Sequence, residues 1–161
     1  MTAREHLPRR RLREERRDVV TEQQEVVTWA DTRRLRDMIG SIRESLPTPG
    51  HPVESYLRDL EGQLARTAIV PPTSVDAATI TMNSKVRLRD LRSGTSQVVT
   101  LVYEADADPF GEKLSVLSGM GASLLGSRVG DVVEWQTRRG ARRLRVERIL
   151  FQPEAAGEFD L

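Results

Sequence analysis

The sequence contains no cysteine, only two histidines and 4% aromatic residues among its 161 positions. Without cysteine the chain has no disulfide framework, no zinc ribbon and no thiol nucleophile, and two histidines exclude a multi-histidine metal site. It also lacks the run of about 18 apolar residues that a transmembrane helix needs, and its first residues lack the apolar segment of a secretory signal. We therefore expect a cytoplasmic protein with no metal, no cofactor and no membrane partner.

Charge is plentiful, at 30% of all residues, but the net value of +1 conceals an uneven distribution. Residues 1–18 carry seven arginines against four acidic residues and few apolar side chains, which predicts a disordered arginine-rich tail over 1–26. One interpretation is a weak contact with nucleic-acid phosphates, and the other is a solubilising extension with no role of its own. The candidate contact residues are Arg9, Arg10, Arg11 and Arg13.

Two helices are predicted next, joined by a proline-rich segment over 46–52. Thr28 is a suitable N-cap for the first helix, and Pro52 suits the first turn of the second. The apolar stripe of the second helix is narrow, which favours an antiparallel hairpin (a short coiled coil over 27–70) that projects from the rest of the chain. The alternative is that both helices cover a sheet. The predicted hairpin tip consists of Thr48, Pro49, Gly50 and His51.

The composition becomes typical of β-structure after residue 71. Strict alternation of apolar and polar residues predicts strands at 85–89 and 143–147. A more central strand is predicted at 97–103, and two more at 114–117 and 132–135. One short helix is predicted at 122–126, where Gly126 closes it. The chain is thus predicted to be α+β: a short helical hairpin, then a mostly antiparallel five-stranded sheet with one short helix over 71–161.

Four short motifs in this second region carry a resemblance. TMNS at 81–84, TLVY at 100–103 and LLGSRVGD at 124–131 resemble successive signatures of the C-terminal domain of Gre-type transcription factors. The ending QPEAAG at 152–157 is similar to that of the Rnk family, the regulators of nucleoside diphosphate kinase. Each motif alone is weak, but the four occur in the order that the family has.

The resemblance implies an FKBP-like C-terminal domain that docks at the rim of the secondary channel of RNA polymerase, and a hairpin directed into that channel. It also implies that a loop and short helix meet the polymerase. Relatives commonly have proline at the position of Gly119, so this loop departs from the family pattern. The candidate docking residues are Ser118, Gly119, Met120, Gly121 and Leu125.

Chemistry at the tip separates two activities within this superfamily. The resemblance implies that cleavage factors hold magnesium with acidic residues at the hairpin tip, because Mg²⁺ takes hard oxygen ligands. The tip here has no carboxylate, and Glu44 and Glu54 only flank it. A lone His51 without a partner group is more typical of a solvated loop than of a catalytic base. We therefore predict a monomeric RNA polymerase-binding regulator that is not an enzyme and does not cleave transcripts.

Other functions remain as alternatives. FKBP-like folds include prolyl isomerases, although a fold does not by itself assign an activity. A nucleic-acid-binding regulator could act through the arginine-rich tail. A basic sheet face, either a nucleic-acid contact or simply a solvated face, is predicted from Lys85, Arg87, Arg89, Arg143 and Arg145.

Overall fold

The computed structural model describes residues 24–161. Its three helices are α1 (Trp29–Ser45), α2 (Val53–Arg66) and α3 (Gly119–Leu124). Its strands are β1 (Val26–Thr28), β2 (Ala68–Val70), β3 (Lys85–Asp90), β4 (Ser96–Val102), β5 (Lys113–Ser115), β6 (Val132–Thr137) and β7 (Gly140–Phe151). The α+β class predicted from the sequence is confirmed.

Five strands form the main sheet in the order β5-β4-β3-β7-β6. Three of the four pairings are antiparallel, whereas β4 and β5 run parallel. The sheet is therefore mixed, and β5 is the strand that departs from the antiparallel pattern. The turns after β3 and β6 contain Gly94 and Gly140, which both adopt positive φ values (73° and 104°), as their sequence positions indicated.

A second, two-stranded sheet was not predicted. Strand β1 leads into α1, β2 follows α2, and the two pair in parallel from Val26 with Ala68 to Thr28 with Val70. Runs of three residues are too short to show an alternation in the sequence. The predicted tail over 1–26 therefore ends too late, because Val26 already belongs to a strand. The rest of that prediction, up to residue 23, lies outside the described residues.

The helical pair shares one hydrophobic core with the sheet. Leu35 and Ile39 of α1 are fully buried, and so are the apolar residues that α2 turns inward. They join a single cluster with the inner face of the sheet, so the predicted projection of a free hairpin is wrong. The physical reason is that side chains from both helices find apolar partners on the sheet as well as on each other. The sheet residues in this cluster include Val86, Leu88, Leu101, Leu144 and Val146.

Helix boundaries follow their caps. The Thr28 side chain accepts a hydrogen bond from the Asp31 N–H at 3.0 Å, which confirms Thr28 as the N-cap of α1. Helix α3 begins three residues before the predicted 122–126, because Ser118 caps it and accepts from the N–H of Gly121. Among residues 24–161, no helix combines the length and the apolar character needed to cross a membrane.

Candidate docking site

An apolar groove lies where the far end of the helical pair meets the start of α3. Its volume is about 550 Å³. The side chains that line it come from both parts of the fold, and we call it the α3 groove. Its lining consists of Ile42, Leu46, Val53 and Tyr56 from the helices and Glu104, Ser115, Leu117, Ser118 and Gly119 from the sheet region.

Hydrogen bonds fix the loop that forms one wall of this groove. Ser118 donates from its hydroxyl to the Ser115 carbonyl at 2.7 Å while it caps α3. The Ser115 hydroxyl accepts from the Leu117 N–H at 3.1 Å and donates to the Glu104 carboxylate. Each bond satisfies a polar group near the groove, so the wall keeps a fixed shape without a bound partner.

Two glycines allow the close approach of backbone that this wall needs. A Cβ on Gly121 would lie 2.0 Å from the Ser115 carbonyl oxygen, so no larger residue fits there without a backbone shift. A Cβ on Gly119 would lie 3.2 Å from Cδ1 of Trp135 on β6. Gly119 therefore lets α3 pack closely on the indole ring. This is the structural role at a position where proline was expected from the resemblance.

The predicted docking residues are not equally accessible. Gly119 is exposed and Ser118 is partly exposed, so both can meet a partner. Met120 is half-buried and packs against the core. Leu125 is fully buried in the hydrophobic core next to the end of α3, which corrects its assignment as a contact residue. Gly121 is also buried and acts through the loop geometry.

Tyr56 is a groove residue that no sequence motif indicated. It flanks the apolar stripe of α2 and keeps 52% of its surface exposed while it lines the α3 groove. An exposed tyrosine beside leucines is a common feature of binding sites, because its ring adds contact area and its hydroxyl tolerates water. The sequence shows that Tyr56 flanks the apolar stripe of α2, but only the tertiary structure shows that it lines the same groove as Ser118 and Gly119.

The four tip residues form an exposed turn between the helices. Gly50 adopts a positive φ of 81°, and Thr48 and Pro49 are exposed. His51 accepts a hydrogen bond from the Val53 N–H through Nδ1 at 3.3 Å, so its imidazole caps the first turn of α2. This capping contact explains a histidine for which the sequence offered no partner.

Two carboxylates of α2 on the tip side of the helical pair are held in ion pairs. Arg43 on α1 contacts Glu54 at 3.0 Å and Glu61 at 2.9 Å on α2. The hydrogen bonds from Arg43 lower the pKa of Glu61 below its ordinary value. Within residues 24–161, no group of three or more histidine, aspartate or glutamate side chains is arranged to hold a metal ion.

A buried polar network connects the helical pair to the sheet behind the groove. Asp31 accepts hydrogen bonds from the Met82 N–H at 3.1 Å and from the Tyr103 hydroxyl at 3.2 Å. Burial raises the pKa of Asp31 to about 6, and the neighbouring Glu154 acts in the same direction. Thr81, which precedes Met82, donates to Glu154 at 2.7 Å. The motifs at 81–84, 100–103 and 152–157 thus meet at one place, and their shared role is structural.

The last of these motifs also fixes the C-terminal segment. The Gln152 side-chain amide donates to the carbonyl oxygens of Asp76 at 2.9 Å and Thr79 at 2.6 Å. On α1, Arg34 donates to the backbone carbonyl of Asp160 at 3.0 Å. These contacts place the chain end against both the sheet region and the first helix.

A second groove is larger and more polar. It lies between α2, the start of β1 and β6, with a volume of about 1540 Å³. Charges of both signs line it, among them Glu25, Arg58, Arg66 and Asp131. Burial raises the pKa of Glu25 above its ordinary value. The α3 groove is the better docking candidate, because it is predominantly apolar and is lined by Ser118 and Gly119, two of the predicted docking residues.

Comparison with known proteins identifies the family. The family model described as "Transcription elongation factor, GreA/GreB, C-term" matches residues 75–151. The chain is 41% identical over 101 residues to the "Regulator of nucleoside diphosphate kinase" of Escherichia coli (strain K12), a match that spans 62% of this chain and 74% of that protein. The chain belongs to the Rnk family of the GreA/GreB superfamily.

Other members of the superfamily agree with this assignment. A transcription elongation factor GreA of Bacillus cytotoxicus is 30% identical over 58% of this chain and 60% of its own length. A solved GreA/GreB transcription elongation factor from Nitrosomonas europaea is similar in structure, with a TM-score of 0.61 and 35% identity. That similarity covers 80% of this chain and 98% of the other. These relatives are named as a regulator and as elongation factors. The candidate arginines at 9–13 lie outside the described residues.

Proposed function

We propose that this Rnk-family chain is a transcription regulator that binds RNA polymerase at the rim of the secondary channel through the α3 groove. Membership of the GreA/GreB superfamily carries the proposal, and the groove supplies a surface suited to it. The groove combines a rigid loop, an apolar floor and an exposed tyrosine, which are the features of a protein-binding site with a few dominant contacts. Its place of action is the cytoplasm, where it works as a monomer.

We propose further that α1 and α2 form an antiparallel pair with an FKBP-like sheet domain behind them. Arg43 at the end of α1 contacts Glu54 in the first turn of α2, as antiparallel neighbours do. At 1.5 Å per residue, helices of 17 and 14 residues span only about 25 and 21 Å. Because they also pack on the sheet, their tip has little reach beyond the rest of the molecule.

The proposed regulator does not cleave RNA. Its tip residues carry no carboxylate, and the nearby Glu54 is paired with Arg43. A factor of this kind acts by occupying the channel entrance, where it changes the access of nucleotides and of other channel factors. A prolyl isomerase is not favoured, because its pocket needs aromatic walls and Tyr56 is the aromatic residue that lines the α3 groove.

Truncation of the groove tyrosine tests the docking surface. We expect Tyr56→Ala to weaken binding to core RNA polymerase about 30-fold, a loss of about 2 kcal/mol that is typical of an exposed aromatic residue at the centre of an interface. Trp29→Ala is the matched control, because Trp29 is also 52% exposed but does not line the groove. Titration of fluorescently labelled protein with core polymerase measures both values. Equal affinities for the Tyr56 and Trp29 variants would show that the groove is not the interface.

A backtracked elongation complex tests the absence of cleavage. We expect the wild-type protein to release no RNA fragment and to inhibit cleavage stimulated by an added GreA factor as its concentration rises. The variant Thr48→Asp with Pro49→Glu, which adds acids at two exposed tip positions, should also remain inactive, because the tip does not reach the metal at coordination distance. Cleavage by the wild type would contradict the proposal. Cleavage by the variant alone would show that the tip reaches far enough and lacked only the carboxylates.

A further inference from the structure

The outer face of the main sheet carries a concentration of positive charge. Helices and the α3 loop cover the inner face, whereas the outer face is open in the described part of the chain. Residues 85–92 and 132–151, which contain β3, β6 and β7, hold ten basic side chains and three acidic ones. These two segments therefore carry +7, while the whole chain carries only +1.

Strand register places some of these cations directly opposite one another. Arg87 on β3 lies across from Arg148 on β7, and Arg89 lies across from Arg145. All four are exposed. Like charges opposite each other on neighbouring strands are destabilising, so the sheet keeps this arrangement against its own stability. The observation points to a negatively charged partner that offsets the repulsion.

The acidic residues of this face neutralise only some of the cations. Glu147 pairs with Arg89, and Glu134 pairs with Arg143 at 3.4 Å. Arg142 pairs with Asp90 at 2.6 Å, but Asp90 shares the inner side of the sheet with Val86 and Leu88, so this pair lies outside the outer face. Among the ion pairs of residues 24–161, none uses the remaining arginines of these strands and their turn, which are Arg87, Arg138, Arg139, Arg145 and Arg148.

We propose that this outer face, which we call the basic face, binds the phosphate backbone of double-stranded DNA without reading its sequence. It runs from Arg148 past Arg145 to the turn at Arg138 and Arg139, and β3 contributes a second row about 4.8 Å away. Arginines in two adjacent rows suit the dense phosphates of a duplex, where neutralisation releases counterions.

The neighbours of these arginines explain why the partner is a duplex and not a single strand. On β4, Val98 lies across from Arg87 and Ser96 lies across from Arg89. On β6, Glu134 lies across from Arg143 and Val132 lies across from Arg145. Single-strand binders stack bases on aromatic rings, and none of these four neighbours is aromatic. The basic face and the α3 groove lie on opposite sides of the sheet, because α3 packs on Trp135 from the inner side. DNA and polymerase can therefore be bound together.

Anisotropy of a fluorescein-labelled 30-base-pair duplex of arbitrary sequence tests the proposal with the full-length protein. We expect the triple variant Arg87→Gln, Arg145→Gln, Arg148→Gln to bind at least about tenfold more weakly at low salt. The slope of log K against log salt should become less steep by about 2.7, or about 0.9 for each lost contact. The matched control is Arg33→Gln, Arg36→Gln, Arg58→Gln, which removes the same charge from exposed helical positions and should change affinity less than about threefold.

Two further variants and a melting measurement complete the test. The triple lysine variant at positions 87, 145 and 148 retains the charge and should bind within about threefold of the wild type. Deletion of residues 1–18 should leave most of the affinity in place. In low salt the triple glutamine variant should melt no lower than the wild type, because it removes cross-strand repulsion. Absence of binding by the wild type, equal losses in the helical control, tighter binding to a single strand, or a loss caused only by the deletion would each overturn the proposal.

Discussion

Replacement of Gly121 by alanine is expected to destabilise the fold by about 2–3 kcal/mol and to weaken polymerase binding at least tenfold. The added Cβ would lie 2.0 Å from the Ser115 carbonyl oxygen, which is backbone and cannot rotate away. Relief of the clash must therefore move α3 or the loop before it. That loop contains Ser118 and Gly119 and forms one wall of the α3 groove.

Gly40→Ala is the matched control for this substitution. Gly40 lies within α1, and a Cβ there would meet nothing within 4 Å. The same chemical change should stabilise the protein by up to about 1 kcal/mol, because alanine favours a helix interior over glycine. For Gly40→Ala, the stability measured by chemical denaturation and the affinity measured by polymerase titration should therefore shift in the direction opposite to that of Gly121→Ala, or not at all. A Gly121 variant with unchanged stability and affinity would contradict the assigned loop geometry.

The wild type is expected to lose about 3 kcal/mol of its free energy of unfolding as the pH rises and Asp31 becomes charged, and replacement of Asp31 by asparagine should remove this loss. Burial raises the pKa of Asp31 from 3.8 to about 6 in the folded protein, and about two pH units correspond to this free energy. Because the folded pKa is the higher one, the protonated carboxyl favours the folded state. Its contribution is fully present below about pH 4 and is lost as the pH rises through about 6.

An asparagine side chain is uncharged at every pH and can keep the contacts of the protonated Asp31 carboxyl. Its carbonyl oxygen can accept from the Met82 N–H while its amide donates to the Tyr103 oxygen. The free energy of unfolding of Asp31→Asn, minus that of the wild type, should therefore increase between pH 4 and pH 7. Urea denaturation at several pH values measures this difference.

The control is Asp37→Asn, the same change at an exposed position of the same helix. Its difference from the wild type should stay nearly constant over this pH range. The other charged groups around Asp31 are Glu154, which raises its pKa, and Arg34, which lowers it. Both groups are present in the wild type and in both variants. A flat difference for Asp31→Asn would mean that the pKa of Asp31 is the same in the folded and unfolded states, as it would be if water reached the carboxylate.

Particular elements show how far sequence reasoning extends. Thr28 as the cap of α1 and the strands around Val86 and Val146 were predictable, because caps and alternation are local patterns. The start of α3 was missed by three residues, because a cap such as Ser118 was outweighed by the apolar run at 122–126. The parallel pairing of β1 with β2 joins residues 42 apart, which no local pattern encodes.

The candidate docking site was only partly predictable from the sequence. Ser118 and Gly119 were predicted through the family resemblance, whereas the place of Tyr56 in the same groove depends on how α2 packs. Leu125 was assigned to the surface in error, because an apolar residue next to a loop looks the same in sequence whether it faces the core or a partner. Asp31 lies in the first turn of α1, and its side chain binds a backbone amide 51 residues away, a contact that no local pattern encodes.

The sequence by itself determined the α+β class, the family and the absence of carboxylates from the segment that joins α1 to α2, because these depend on residue types and on short-range periodicity. The tertiary structure decided that the helices pack on the sheet, that Asp31 is buried against Met82 and Tyr103, and that arginines on β3 and β7 lie side by side. These arrangements depend on contacts between distant segments. They are selected by the burial of the whole core, a cooperative property that local patterns do not contain.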